Sequence, residues 1–295
     1  MALYSQRLTE HLQRFEQEFL SFFPCNGTRQ DTVIDAMRYA CEGGGKRLRP
    51  VLVMEFCRLC GGDVEQAFPF AAAIEMIHSY SLVHDDLPCM DNSPLRRGKP
   101  SVHAAYGEDM ALLTGDALLN AAFEVMLKPH AGVSPLATVM AAGILADGAG
   151  IGGMIGGQVI DLQSEGKDIG IDTLRDLQAK KTGALIEAAC RMGCAVGCGN
   201  EAHMIAARQY GQYIGAAFQV IDDILDVTAT AEQLGKPVGS DAENQKNTYV
   251  SLLGLSASRE LATAYTEKAI AALSVFGDHG KDLTMLAQAL LERVG

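Results

Sequence analysis

Apolar residues return every third or fourth position along nearly the whole chain, and that spacing admits helices and little else. Leu8, Leu12, Phe15, Phe19 and Phe22 advance by four, three, four and three, lining one face of a helix. The same steps recur in "AFPFAAAIEMIHSYSLVHDD", "EDMALLTGDALLNAAFEVMLK", "RDLQAKKTGALIEAACRMG" and "HMIAARQYGQYIGAAFQVIDDILD". Alternating period-two runs are scarce, and β-branched residues are too thinly scattered to build a sheet. Several of the helical stretches are apolar on more than one side, as central members of a bundle must be. With 48% hydrophobic residues in 295 there is ample material for a core. No repeat, low-complexity tract or linker interrupts the pattern, so a single all-α domain over 1–295 is expected, a bundle of long, mostly antiparallel helices.

Glycine and proline mark where helices stop. "CEGGGKRLRP" is a loop whose Pro50 suits the first turn of the next helix. "ADGAGIGGMIGGQVIDLQ" sets glycines into an apolar stretch, where helices pack closely or one kinks. Residues 228–249 form a polar loop, long for a compact domain and therefore a candidate for function. Cys190, Cys194 and Cys198 stand four apart, the spacing of small core residues on one helix face. Cys57 and Cys60 make one CxxC, and a zinc site wants a second such pair. The net charge of −12 argues against nucleic acid or an anionic membrane as a bulk partner. The charged start, "MALYSQRLTEHLQRFEQEF", lacks a signal-peptide core, and no run of about 18 uncharged apolar residues predicts a membrane span. A reduced, cytoplasmic enzyme is expected.

Two acidic clusters carry the chemistry. In "HSYSLVHDDLPCMDNSPLRRGKP", Asp85, Asp86 and Asp91 are crowded together, and Pro88 breaks the helix so that Asp91 can curl back towards Asp85. In "IDDILD", Asp222, Asp223 and Asp226 form the second cluster, of which Asp222 and Asp226 are four apart and project from one helix face. Both clusters end a long apolar helix, where carboxylates oppose the helix dipole. Two like charges about 4 Å apart repel by roughly 4 kcal/mol at an effective dielectric of about 20, so something cationic must offset them. Hard oxygen donors without paired histidines favour Mg²⁺, which bridges carboxylate to phosphate. Lys46 and Arg49 in "GGGKRLRP", Arg96 and Arg97 in "LRRGKP", Lys181 in "AKKTG", and Lys236 and Lys246 in the long loop supply forks and ammonium groups for phosphate oxygens. Together these residues predict a polyphosphate site with magnesium.

With those motifs in hand, the chain resembles the trans-prenyl diphosphate synthases, most closely the bacterial farnesyl-forming members. "DDLPCMD" is similar to the family's first aspartate-rich motif in its form with two extra residues, and "DDILD" to the second. "GGGKRLRP", "LRRGKP", "KTGALI", "FQVIDDILD" and "GKPVGSD" follow in the family's order, so the likeness covers essentially the whole chain. The resemblance implies an isoprenoid synthase fold around a central apolar cavity. It implies three Mg²⁺ per active site, with Mn²⁺ as an alternative ion, held by Asp85, Asp91 and Asp222 with Asp86 and Asp226 in support. Arg96, Lys181 and Lys236 would hold the allylic diphosphate. Lys46, Arg49, His78 and Arg97 would hold isopentenyl diphosphate without metal, and Lys246 is a further substrate-binding candidate. Thr182 and Gln219 would present oxygen dipoles to an allylic cation. A homodimer is implied as well. The implied activity is head-to-tail condensation of isopentenyl diphosphate with dimethylallyl and geranyl diphosphate to farnesyl diphosphate (C15), with a C20 geranylgeranyl product as the alternative.

Chain length has its own signal. Tyr80 and Ser81 lie five and four residues before Asp85, about one turn below the diphosphate at roughly 1.5 Å per residue, so tyrosine there floors a tunnel. Three departures stand out from the family pattern: Ser93-Pro94 where relatives carry more acid, Val250 after "NTY", and an end at "LERVG" without a basic tail. Rival readings use fewer residues. An HD-type phosphohydrolase would take His84-Asp85, His78 and His103 but leaves Asp222 and Asp226 unused. A di-iron bundle would take Glu75 and His78 and needs a second such pair. A non-catalytic subunit of a heteromeric synthase is expected to lack part of an aspartate motif, and both are complete here.

Overall fold

The computed structural model describes residues 3–24, 27–42, 44–229 and 247–294. The predicted all-α architecture is what it contains. Helix α1 (Gln6–Glu18) is capped by the Ser5 hydroxyl and buries Leu8 and Phe15 from the predicted stripe; a 3₁₀ turn (Phe19–Phe22) continues it. Then come α2 (Asp31–Glu42), α3 (Leu48–Leu59), α4 (Val64–Asp85), α5 (Val102–Tyr106), α6 (Glu108–Leu127), α7 (Pro135–Ala149), α8 (Met154–Ser164) and α9 (Ile171–Gln178). A π turn (Ala179–Gly183) joins α9 to α10 (Ala184–Val196). Helix α11 (Glu201–Thr228), α12 (Tyr249–Leu253), α13 (Leu255–Ala272) and α14 (Lys281–Leu291) follow, with a last 3₁₀ turn at Glu292–Val294.

Helices α4 and α10 sit at the centre because their sequences leave no polar face. From Ala67 to Ile77 every residue of α4 is buried, and α10 buries Leu185, Ile186, Ala188, Ala189, Cys190 and Met192. Helix α4 packs against α3, α6 and α10, while α11 packs against α10 and α13. One apolar cluster runs through all of these from Leu8 to Val294. Among the described residues the only strands are Leu95–Arg96 and Lys99–Pro100, a two-residue hairpin pairing Arg96 with Lys99. Its turn, Arg97-Gly98, has positive φ at both positions, matching the twist of a tight hairpin.

Two sequence expectations shift. Cys190 and Cys194 are buried in α10 as the spacing predicts, but Cys198 lies beyond the helix end at φ 56° and is exposed. Glu108–Leu127 and Pro135–Ser164 are long and apolar enough, by length and composition, to cross a membrane, contrary to the expectation of no such stretch. The second is broken between Ala149 and Met154 into α7 and α8, and the first packs on α4 and α2.

Candidate active site

The two acidic clusters close two long helices at one cavity. Helix α4 ends at Asp85; the Asp91 N–H then donates to the Asp85 carbonyl at 2.8 Å, and Ser93 N–H to the Asp86 carbonyl at 3.2 Å. That curl puts Asp91 beside Asp85. Burial raises the Asp85 carboxyl to about 6; Lys181 opposes the rise, and repulsion from Asp91 and Asp86 adds to it. Asp86 is 2% exposed and forked onto Arg96, whose Nε lies 3.1 Å from both carboxylate oxygens. Arg96, expected at the diphosphate, thus lies against the first acidic cluster itself.

At the end of α11, Asp222 is paired with Arg293 at 3.8 Å, and the Lys46 ammonium sits 4.7 Å over the Phe218 ring one turn earlier. The terminal stretch "LERVG", singled out for ending without a basic tail, delivers its own Arg293 to this cluster. Asp226 is buried at 2% exposure. Asp223 faces inward and accepts hydrogen bonds from Gln219 Nε2 at 3.2 Å and from the Tyr249 backbone N–H at 2.8 Å. Gln219 Oε1 in turn accepts from the Thr182 hydroxyl at 3.3 Å.

A cavity of about 490 Å³ lies between these ends, lined by Asp91, Asp161, Lys181, Thr182, Gln219 and Asp223. A second, of about 370 Å³, is lined by Arg49, His78, Tyr80, Ser81 and Asp85, and by Met154, Ile155 and Val159 of α8. Met90, Lys181 and Thr182 border both, so a polar chamber and a greasier one share a wall. The Tyr80 hydroxyl is buried without a hydrogen-bond partner, and its ring meets His84 edge-on at 5.8 Å. Lys181 and Thr182 reach the shared wall from the π turn, a widened turn that recurs at functional sites. Gly157 of α8 lies against the Lys181 backbone; a Cβ there would overlap the Lys181 amide, so only glycine lets α8 come this close. The Lys181 ammonium bonds Asp161 at 2.5 Å.

The "GGGKRLRP" loop is pinned by Arg47, a residue outside the predicted set. Its buried guanidinium donates to Glu75 and Glu16 at 2.7 Å each and to the Cys41 carbonyl at 2.5 Å. That network occupies Glu75 and removes it from any di-iron reading. Around it gather cations whose charge the protein disfavours. Burial lowers Arg49, with Glu75 opposing and Arg97 adding to the fall; its Nε is buried without a hydrogen-bond partner. His78 is pushed well down by burial and by Arg49, Arg97, Arg47 and Arg96. Arg97 bonds the Gly44 carbonyl, and a Cβ on Gly45 would sit 2.8 Å from its guanidinium. A buried cationic group with an unused donor is what an anion would satisfy.

Lys236 and Lys246 lie outside the described residues. Asp161, Arg47 and Arg293 were missed by the motif reading, which placed Asp223 in the second acidic cluster without a role of its own. Only Asp161 carried a signal, as the one charge in the glycine-rich "GGMIGGQVIDLQ". Among the described residues no three carboxylate, imidazole or thiol groups converge tightly enough to hold an ion by themselves. Carboxylates at the ends of two helices still fit Mg²⁺, which takes one or two of them and completes its shell with phosphate oxygens and water.

Comparison with known proteins agrees with this geometry. The polyprenyl synthetase family model matches residues 30–275. The large subunit 1 of a heterodimeric geranylgeranyl pyrophosphate synthase from Arabidopsis thaliana is 46% identical over 260 residues, covering 86% of this chain and 70% of its own. Geranylgeranyl diphosphate synthase of Cyanophora paradoxa is 44% identical over 262 residues, 88% of this chain and 87% of its own. The apo crystal structure of an FPP/GFPP synthase from Zymomonas mobilis superposes with a TM-score of 0.85 at 38% identity, covering 97% of each chain.

Proposed function

The chain belongs to the polyprenyl synthetase family and is a prenyltransferase, and on that premise we propose that it joins isopentenyl diphosphate head to tail to allylic diphosphates, with Mg²⁺, to build a geranylgeranyl (C20) chain. The observation that carries this is the pair of facing acidic helix ends bordering a polar chamber that shares a wall with an apolar one. The C20 length rests on the curated relatives, which are geranylgeranyl synthases by name. One feature of this chain favours the shorter C15 product: the Tyr80 side chain walls the apolar chamber beside Ser81.

Asp85, Asp91 and Asp222 would hold the metal ions, with Asp86 and Asp226 behind them. Bound there, Mg²⁺ would neutralise the allylic diphosphate and make it a leaving group. Lys181 and Lys236 complete the grip on that diphosphate, and Arg96 joins them on leaving Asp86. Lys46, Arg49, His78 and Arg97 take the isopentenyl diphosphate, whose charge relieves the cationic crowding around Arg49 and His78. Metal held by these aspartates would clamp only one of the two diphosphates, so only that one would be activated to depart. The allylic cation left behind would sit against Thr182 and Gln219, where the polar chamber meets the apolar one. The double bond of isopentenyl diphosphate attacks the cation, and the departing pyrophosphate takes the proton that the new chain sheds.

We assign the chain to the cytoplasm on its charge and cysteine pattern, as one domain over its length. The relatives named above include a plastid protein, a location stated of that protein. A homodimer is supported by Leu112 and Leu113 of α6 and by Leu136, Val139 and Met140 of α7, all exposed in the single chain.

The test is to incubate the purified protein with Mg²⁺, isopentenyl diphosphate and dimethylallyl diphosphate, then size the products. A C20 chain supports the main reading, a C15 chain the Tyr80 reading. Inorganic phosphate without a longer chain would sink both. Tyr80→Ala is expected to lengthen the product and Ser81→Phe to shorten it; an unchanged spectrum in both variants removes Tyr80 as the floor.

A further inference from the structure

We propose that Asp223 is a positioning residue rather than a metal ligand: it turns the Gln219 amide so that the oxygen, and not the NH₂ group, faces the reacting chamber. The inference rests on the prenyl-transfer reading and concerns how the chain meets the positive charge that reading requires.

Gln219 borders the polar chamber beside Thr182 and Lys181. Its side chain carries a donor end and an acceptor end of almost the same shape, so neighbouring groups must decide which end points where. Asp223, one turn further along α11, supplies that decision. Its carboxylate accepts from Gln219 Nε2 at 3.2 Å, and a carboxylate accepts only from a donor. The amide oxygen is then left on the side of Thr182, whose hydroxyl donates to it at 3.3 Å. A developing allylic cation is stabilised by oxygen and repelled by an NH₂ group, so an amide turned the other way would work against the reaction.

The carboxylate is itself fixed. Asp223 is 3% exposed, and its other oxygen accepts from the Tyr249 N–H at 2.8 Å. Tyr249 opens α12, where the Thr248 hydroxyl and Ser251 form a reciprocal cap, so this donor is held by a built helix start. Asp222 occupies a different setting: its side chain is 39% exposed and paired with Arg293. Adjacent aspartates on one helix thus point to different tasks, one outward at the charged rim and one inward onto an amide.

The isosteric variant Asp223→Asn tests this. Asparagine has one acceptor and one donor end, while Gln219 Nε2 and the Tyr249 N–H are both donors, so one of these two hydrogen bonds is lost whichever way it turns. The expected result is a fall in kcat of about 10- to 100-fold, with KM for both diphosphates and the half-saturating Mg²⁺ concentration changed by no more than about twofold. Calorimetric binding of inorganic pyrophosphate with Mg²⁺ is expected to be unchanged, a readout independent of turnover. In a Gln219→Met background the Asp223→Asn change should have little further effect on kcat, because the amide it orients is gone. Asp223→Glu, which keeps the charge and both acceptors, should recover part of the activity, and it carries the same comparison if the asparagine variant does not fold. The proposal is overturned if activity returns at high Mg²⁺ or pyrophosphate binding weakens, since residue 223 would then be a metal ligand. It is equally overturned if the loss is the same with and without Gln219. Absence of prenyl transfer in the wild-type chain would instead remove the reading beneath it, leaving the Gln219–Asp223 geometry untouched.

Discussion

The two acidic helix ends look alike in sequence and are built differently. At the end of α4 the stabilising partner comes from the same short segment: Asp86 and Arg96 are ten residues apart, and the loop between them folds back through its own backbone hydrogen bonds. At the end of α11 the partners come from far along the chain: Lys46, Tyr249 and Arg293 converge from three other regions. At each end adjacent aspartates stand in different settings: Asp86 is buried on Arg96 while Asp85 borders the apolar chamber, and Asp223 is buried on its donors at the polar chamber while Asp222 is paired with Arg293. A pair of adjacent aspartates is therefore not a pair of equivalent ligands. Burial and donor supply separate their roles, at both ends.

The comparison can be broken first at its outer members. Asp85→Ala and Asp222→Ala are each expected to lower kcat/KM by about 10³-fold, read by isopentenyl incorporation; at neutral pH the first should also raise the thermal midpoint, since it removes a buried carboxylate that resists ionisation, and the second should leave it nearly unchanged. A retained activity in either would detach that end from the chemistry. The buried partner at the first end should behave in the opposite sense. Asp86→Asn leaves Arg96 without its fork and is expected to cost about 1–3 kcal/mol of stability, measured by urea unfolding; Arg96 is 39% exposed, which places the value towards the lower limit. A smaller effect sharpens the picture through protons. Asp85 binds its proton more tightly in the folded chain, at about 6 against an ordinary 3.8. Its contribution to stability is therefore fully present below about pH 4 and is lost as pH rises through 6. Mg²⁺ needs the ionised carboxylate, so binding of Mg²⁺ alone, without pyrophosphate and its own protons, should release up to about one proton at pH 5 that is absent at pH 8. Calorimetry in buffers of different ionisation heat measures that difference, and equal release at both pH values would refute it.

What the sequence disclosed follows from the range of the interactions involved. The helical architecture and the Asp85–Asp91 curl depend on neighbours within a few positions, and periodicity and Pro88 report those directly. Arg47 was passed over because its importance lies in Glu16, Glu75 and the Cys41 carbonyl, which only tertiary folding assembles. The role of Asp223 was hidden for the same reason: the residue's spacing matches its neighbours on the helix, and its donor Tyr249 is 26 residues away. Arg293 stood in plain view in "LERVG" but counts as a site residue only because the last turn packs back on α11. Product length resisted for another reason, since it depends on the depth of a chamber whose walls come from α4 and α8 together.

The widened turn at Ala179–Gly183 has a consequence for how this gene can change. A turn of this kind accommodates one more residue than regular helix, and the insertion sets the rotation between everything before it and α10 after it. Losing a single codon there would let the segment close into uninterrupted α-helix and draw Lys181 off the widened turn that carries it to the wall it shares with Thr182. Substitutions on either side can be absorbed one contact at a time, whereas a length change at this point is all or nothing.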